Sequence, residues 1–311
     1  MNAPGFVRAA HFAEIALGAI SIVYGCSFFV MKGAVDAVPV FPLMTVRFGM
    51  AAVLMLAVFR RHFAAHVDVI TIRSGIIAGL LQFGGYALQT IGITMTTSGK
   101  SAFLSACFCA ILPFSAWLLA RKRPSGMDLL SVALCIGGIA LTCLGGEGFN
   151  AGDLWTLTCA PLFAFQFAYV ARAGERVNVW ALSCWQMIVM TTCSIVASVV
   201  LGQPFAPVLD PSLVPAELFL GVVCSFAYFS IFNYSLTMVE PSVNGLLAAL
   251  ETPTGVLVSV LFEGTMITPR LIFGFVLVAL ALAVSSVGEK IIGAHGSRGR
   301  KAAMRPHDAS S

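Results

Sequence analysis

Residues 104–117 read LSACFCAILPFSAW, and residues 244–257 read NGLLAALETPTGVL. Both stretches are predominantly apolar and both carry a proline, Pro113 in the first and Pro253 in the second, 140 positions apart. The same offset aligns Lys32 with Arg172, each at the end of the first apolar segment of a five-segment block. Two matched anchors alone could arise by chance. With segment counts and hydropathy agreeing on both sides of them, an internal duplication is the better reading.

Working outward, charged residues and Pro, Gly and Asp punctuation divide the 311 residues into ten apolar segments, near 15–32, 41–59, 74–95, 102–120, 129–144, 154–171, 179–201, 218–238, 243–262 and 271–287. Each approaches the roughly 20 residues that a helix needs to cross a bilayer. The composition agrees: 59% of residues are hydrophobic and 10% charged, against about 25% charged in an ordinary soluble domain. Such a chain lacks the charge for a watery surface, and its 24 phenylalanines exclude disorder. Backbone groups in hydrocarbon must bond within their own segment, and the alternation of a membrane barrel is absent, so the expectation is an all-α integral membrane protein with ten transmembrane helices.

Basic residues orient it, because Lys and Arg collect in cytoplasmic loops. With the N-terminus inside, fourteen basic residues fall on the inner side, including Arg60, Arg61, Arg121, Lys122, Arg123, Arg172 and Arg176; only Lys32, Lys100 and Arg270 fall at outer ends. Arg47 lies within the second segment. Both termini are therefore expected in the cytoplasm. A signal peptide ending near Met31 is disfavoured by the lack of a small-residue cleavage site. Five crossings is an odd number, so the second block enters from the opposite face and the halves form inverted repeats. Such repeats exchange inward-open and outward-open states around a site near the midplane. The blocks run over 12–146 and 152–289, and 290–311 reads as a basic, disordered cytoplasmic tail with a weaker attraction to anionic lipid.

Several short motifs sit at matching places in this plan. The first block carries Tyr24-Gly25-Cys26-Ser27-Phe28-Phe29, Lys32, Phe41-Pro42 and Arg47; the second carries Leu250-Glu251-Thr252-Pro253, Glu263, Thr268-Pro269-Arg270 and Gly274. Together they resemble the EamA-type permeases of the drug/metabolite transporter superfamily, over roughly residues 14–289. Tyr24 stands where that family usually has Trp, Thr252 intervenes between Glu251 and Pro253, and Phe262 replaces a Gly before Glu263. The resemblance implies a secondary transporter, read here as an exporter of metabolites, amino acids or drug-like compounds in a bacterial-type inner membrane.

Candidate site residues follow from polarity at membrane depth. Gln82, Tyr86 and Gln89 share one face of the third segment, and Ser225, Tyr228, Phe232 and Asn233 make a comparable stripe in the eighth. A cavity among segments one, three, four, six, eight and nine collects Ser27, Gln82, Tyr86, Gln89, Gln166, Tyr169, Tyr228, Asn233, Asn244 and Glu251, a mix that suits a small amphipathic solute. Each also has a plain alternative as an interhelical hydrogen bond. Glu251 is the candidate proton carrier, with a structural or pocket-polarising role as the other reading. Arg47 has three readings: an ion pair with Glu251, a gate, or a side chain snorkelling to headgroups. Lys32 and Glu263, near outer ends, read as gate or structural residues. Pro113 and Pro253 read as kinks or hinges, and Gly75, Gly79, Gly137 and Gly138 as close-packing surfaces.

Other chemistry finds no support in the text. The nine cysteines lie in apolar runs, the five histidines lie in polar segments, and there is no GxxxxGK[ST], HExxH or GxSxG. No metal, cofactor or nucleic-acid partner is implied; the partners expected are a small-molecule substrate and the bilayer, with monomer and homodimer both open. Importer, exchanger, and a non-transporting sensor or scaffold on a permease fold are the alternatives in function.

Overall fold

The computed structural model describes residues 3–120, 124, 126–143, 149–239, 241–264, 268–270, 272–274, 276–277, 279–281 and 283–284. The expected cytoplasmic tail, 290–311, lies outside them, as do Arg121–Arg123. Among the described residues the chain is helical, with no strand. Among the described residues seven helices are long and apolar enough to cross a membrane; Leu129–Gly138, Glu251–Phe262 and Ile272–Ala281 are shorter apolar helical stretches.

Polar residues at the segment edges set where helices begin. α1 (Ala3–Ala37) and α2 (Val40–Val58) are followed by the short α3 (Arg60–Ala65). Asp68 then caps α4 (Val69–Ile93), accepting from the Thr71 backbone N–H at 2.9 Å. Thr97 caps α5 (Ser98–Ser105), which precedes α6 (Phe108–Ala120) and α7 (Gly126–Cys143). In the second half Asn150 and Asp153 form a reciprocal capping box at the start of α8 (Ala151–Ala173), and Asn178 caps α9 (Val179–Val200). Next come α10 (Val214–Leu218), a π-helical stretch (Phe219–Ala227), α11 (Tyr228–Met238), α12 (Pro241–Ala248) and α13 (Glu251–Phe262).

Two segments expected as single kinked helices are each interrupted instead. The fourth breaks between α5 and α6, the ninth between α12 and α13, and at both places backbone bonding tightens from four residues to three, as in Cys107 to Leu104 and Leu250 to Leu247. The interruptions precede the prolines. Pro113 lies inside α6, and Pro253 lies in the first turn of α13, where its missing N–H costs least. Both leading pieces have eight residues, and α5 and α12 begin 143 positions apart, as do α6 and α13. At this helix pair the repeat is thus offset by 143 rather than 140, which sets Phe108 opposite Glu251.

The main packing runs between the halves. α4 lies against α8 and α9; α11 and the π stretch lie correspondingly against α1 and α2. α6 packs on α8 as α13 packs on α1, α2 meets α9, and α5 meets α13 as, less extensively, α12 meets α6. Exchanging the two halves leaves this pattern unchanged, as a two-fold relation requires. Close crossings lock it: a Cβ at Gly92 would lie 2.7 Å from the Gly152 carbonyl, and one at Gly25 would overlap the Glu251 carbonyl. Gly75 and Gly79 meet Trp185 and Val189 of α9 with the same lack of room.

Candidate functional site

The interrupted helices and the π stretch border one buried polar cluster. Two adjoining cavities of about 10 and 20 Å³ share Tyr24 and Gln89. The smaller reaches Ser27, Arg47 and Thr90; the larger is walled by Gln82, Tyr86, Ser105, Phe108, Phe163, Phe167, Tyr228, Phe229 and Glu251. Each holds about one water molecule at most, so this is a closed form of the site.

Its charges are deep. Arg47 is 2% exposed and Glu251 6%. The Arg47 guanidinium turns inward, donating from Nε to Ser225 Oγ at 2.8 Å and from Nη2 to Tyr24 Oη at 3.3 Å, with its carbon 5.2 Å from the Tyr86 ring centroid. Ser225 is available there because it sits in the π stretch, its own hydroxyl donating to the Leu220 carbonyl five residues back. These bonds overturn the snorkelling reading of Arg47.

The direct pair with Glu251 is also absent: among the described residues no ion pair joins them. Tyrosines connect the two instead. Tyr24 shares a 2.5 Å hydroxyl bond with Tyr86 and packs its ring against Tyr228, tilted by 31° with centroids 4.1 Å apart, and Tyr228 donates to Glu251 Oε2 at 3.4 Å. A phenol at each charge keeps the groups solvated without water, which two charges brought out of water otherwise lack.

Of the residues singled out from sequence, Ser27, Gln82, Tyr86, Gln89, Tyr228 and Glu251 line the cavities, with Arg47 beside them. Four do not. Asn233 donates to Gln186 Oε1 and Ser183 Oγ, at 2.8 and 2.9 Å, in the contact of α9 with α11. Asn244 accepts from Ser235, Gln166 is buried with neither amide atom partnered, and Tyr169 packs against the apolar core. Gln186 also donates to Gln82, so this amide chain reaches the cavity wall.

The terminal charges work at the ends of helices. Lys32 donates to Asp36 and to the Thr94 carbonyl, at 3.2 and 3.3 Å. Glu263 accepts from the Ser98 backbone at the start of α5 and from Ser259. Lys100 pairs at 3.6 Å with Asp153, which also accepts from Thr96. Sequence reasoning missed Asp153, whose place at a helix start was its available signal, and the phenylalanine walls, which nothing separates from the rest of the chain's 24 phenylalanines.

The model of the EamA-like transporter family matches the chain twice, over residues 11–144 and 150–287. The chain belongs to the EamA-like transporter family. The double match makes this EamA protein a duplication and a membrane transporter. It is 25% identical to an uncharacterized transporter of Archaeoglobus fulgidus over 276 residues, covering 89% of this chain and 86% of that one. A second uncharacterized transporter, from Haemophilus influenzae, is 25% identical over 134 residues, 41% of this chain and 79% of the other. A solved crystal structure shares the fold at a TM-score of 0.63 and 17% identity, covering 89% of this chain and 97% of its own.

Proposed function

We propose that this EamA protein exports a small amphipathic solute by alternating access, with Glu251 carrying the coupling proton. The observation that bears most weight is the closed cavity between the halves, where Arg47 and Glu251 are held apart by three tyrosines. A scaffold has no use for two desolvated charges facing a void; a carrier uses them to meet a polar solute. The broken α5–α6 and α12–α13 helices suit the same reading, since irregular backbone at membrane depth is tolerated where it lines a cavity.

In this reading the chain crosses a bacterial-type inner membrane ten times as two inverted five-helix repeats, 12–146 and 152–289, with both termini in the cytoplasm. The exchange-symmetric packing of the halves supports two states related by that symmetry. Lys32, Glu263 and the Lys100–Asp153 pair then lie at the outer end and serve as contacts that hold it closed.

The test is flux in proteoliposomes of the purified protein, screening labelled amino acids and metabolites with and without an imposed pH gradient and in both protein orientations. Saturable flux that the gradient accelerates is expected. Absence of flux across the panel, or flux indifferent to the gradient, contradicts the carrier or the coupling respectively.

A further inference from the structure

At two places beside the cavities a charged residue of one half stands opposite an uncharged residue of the other. Arg47 lies seven residues after the first residue of α2 and bonds Ser225; Gln186 lies seven residues after the first of α9 and bonds Gln82, and Ser225 and Gln82 are themselves 143 positions apart. The two bonds are counterparts, one with a guanidinium and one with a neutral amide. Likewise Glu251 stands opposite Phe108. Helix packing is therefore served in one half by uncharged residues, and the charge on Arg47 is extra to it.

That charge is uncompensated. Among the described residues no carboxylate pairs with Arg47, whose partners are two hydroxyls and the faces of Phe48 and Tyr86. Arginine is charged at any relevant pH and presents five N–H donors; the two hydrogen bonds use two of them, and the side chain borders the cavity. A buried cation without a counter-ion is costly, and an anion entering the cavity removes the cost.

We propose that Arg47 seats the carboxylate of the transported solute, a monoanion with a compact apolar body lying among Phe108, Phe163, Phe167 and Phe229. This deepens the carrier reading above and rests on it. A guanidinium fork matches the two oxygens of a carboxylate. Among the described residues Arg47 is the one cationic side chain lining the cavities, which matches a single negative charge and leaves a phosphate dianion half compensated.

The experiment measures thermal stabilisation of the purified full chain in detergent by benzoate and hydrocinnamate, beside the neutral benzamide and hydrocinnamamide and the cation benzylammonium. The carboxylates are expected to raise the melting midpoint and the neutral and cationic probes to leave it unchanged. In Arg47→Gln the carboxylate concentration needed rises by about tenfold or more, the loss of a charged hydrogen-bond partner, and in Arg47→Lys by less. Equal stabilisation by amides, no stabilisation by either carboxylate, or an unchanged response in Arg47→Gln overturns the proposal. If the variants fail to fold, the carboxylate and amide comparison on the unaltered chain still decides. Carboxylate binding without flux in proteoliposomes leaves this site standing and removes the carrier; flux of neutral or cationic solutes without carboxylate binding does the reverse.

Discussion

Tyr24 links the two charges of the site: it accepts from Arg47, and its ring packs against Tyr228, which donates to Glu251. Tyr24→Phe keeps the ring and removes the bonds to Arg47 and Tyr86, which at about 1–2 kcal/mol corresponds to a fall in solute affinity of roughly five- to thirtyfold, measured as the KM of flux. Tyr228→Phe breaks one long bond and costs less. Outside the membrane, Asp68 holds the start of α4; the Thr71 backbone N–H, and then its hydroxyl, keep its carboxyl below the usual carboxylate range. A lowered value means its contribution is present above that range and lost as pH falls through the lowered value. Melting in detergent should therefore weaken below about pH 4, and Asp68→Asn should flatten that part of the profile. Arg47 and Glu251 were legible in the sequence because a charge inside an apolar run is conspicuous. Phe163 and Phe167 were not, since an apolar ring facing a cavity reads the same as one facing lipid. Gln166 and Asn244 misled for the opposite reason: an amide in a membrane helix packs as readily as it lines a cavity.

At the scale of elements, the sequence placed helices well where polar caps flank them, as Asn178 does for α9. Its account failed where a helix is broken without losing hydropathy, as between α5 and α6, because the interruption falls in Ala106-Cys107, residues that carry no breaking signal. Pro113 drew attention to the right helix and the wrong turn. The glycine crossings offer a direct test. Gly92 meets the backbone of α8, whereas a Cβ at Gly33 would meet nothing within 4 Å. Gly92→Ala is expected to destabilise by about 1–3 kcal/mol, seen as a lower melting temperature, and Gly33→Ala to leave it unchanged or raise it slightly.

For the whole molecule, the duplication was visible in the sequence as two prolines 140 residues apart, but its working register was not. That the halves interlock, with α4 on α8 and α9 as α11 and the π stretch lie on α1 and α2, required the structure. The orientation proposed for it makes Leu209, 76% exposed, an outer residue and Arg61 an inner one. In a cysteine-free background an impermeant maleimide should label Leu209→Cys in intact cells and Arg61→Cys only after permeabilisation; the reverse would invert the topology. In the carrier we propose, one carboxyl, Glu251, couples solute to proton. In proteoliposomes Glu251→Gln should lose flux driven by a pH gradient while still exchanging labelled for unlabelled solute, because exchange needs the cavity but no change of protonation. Gradient-driven flux at the rate of the unaltered protein would contradict it.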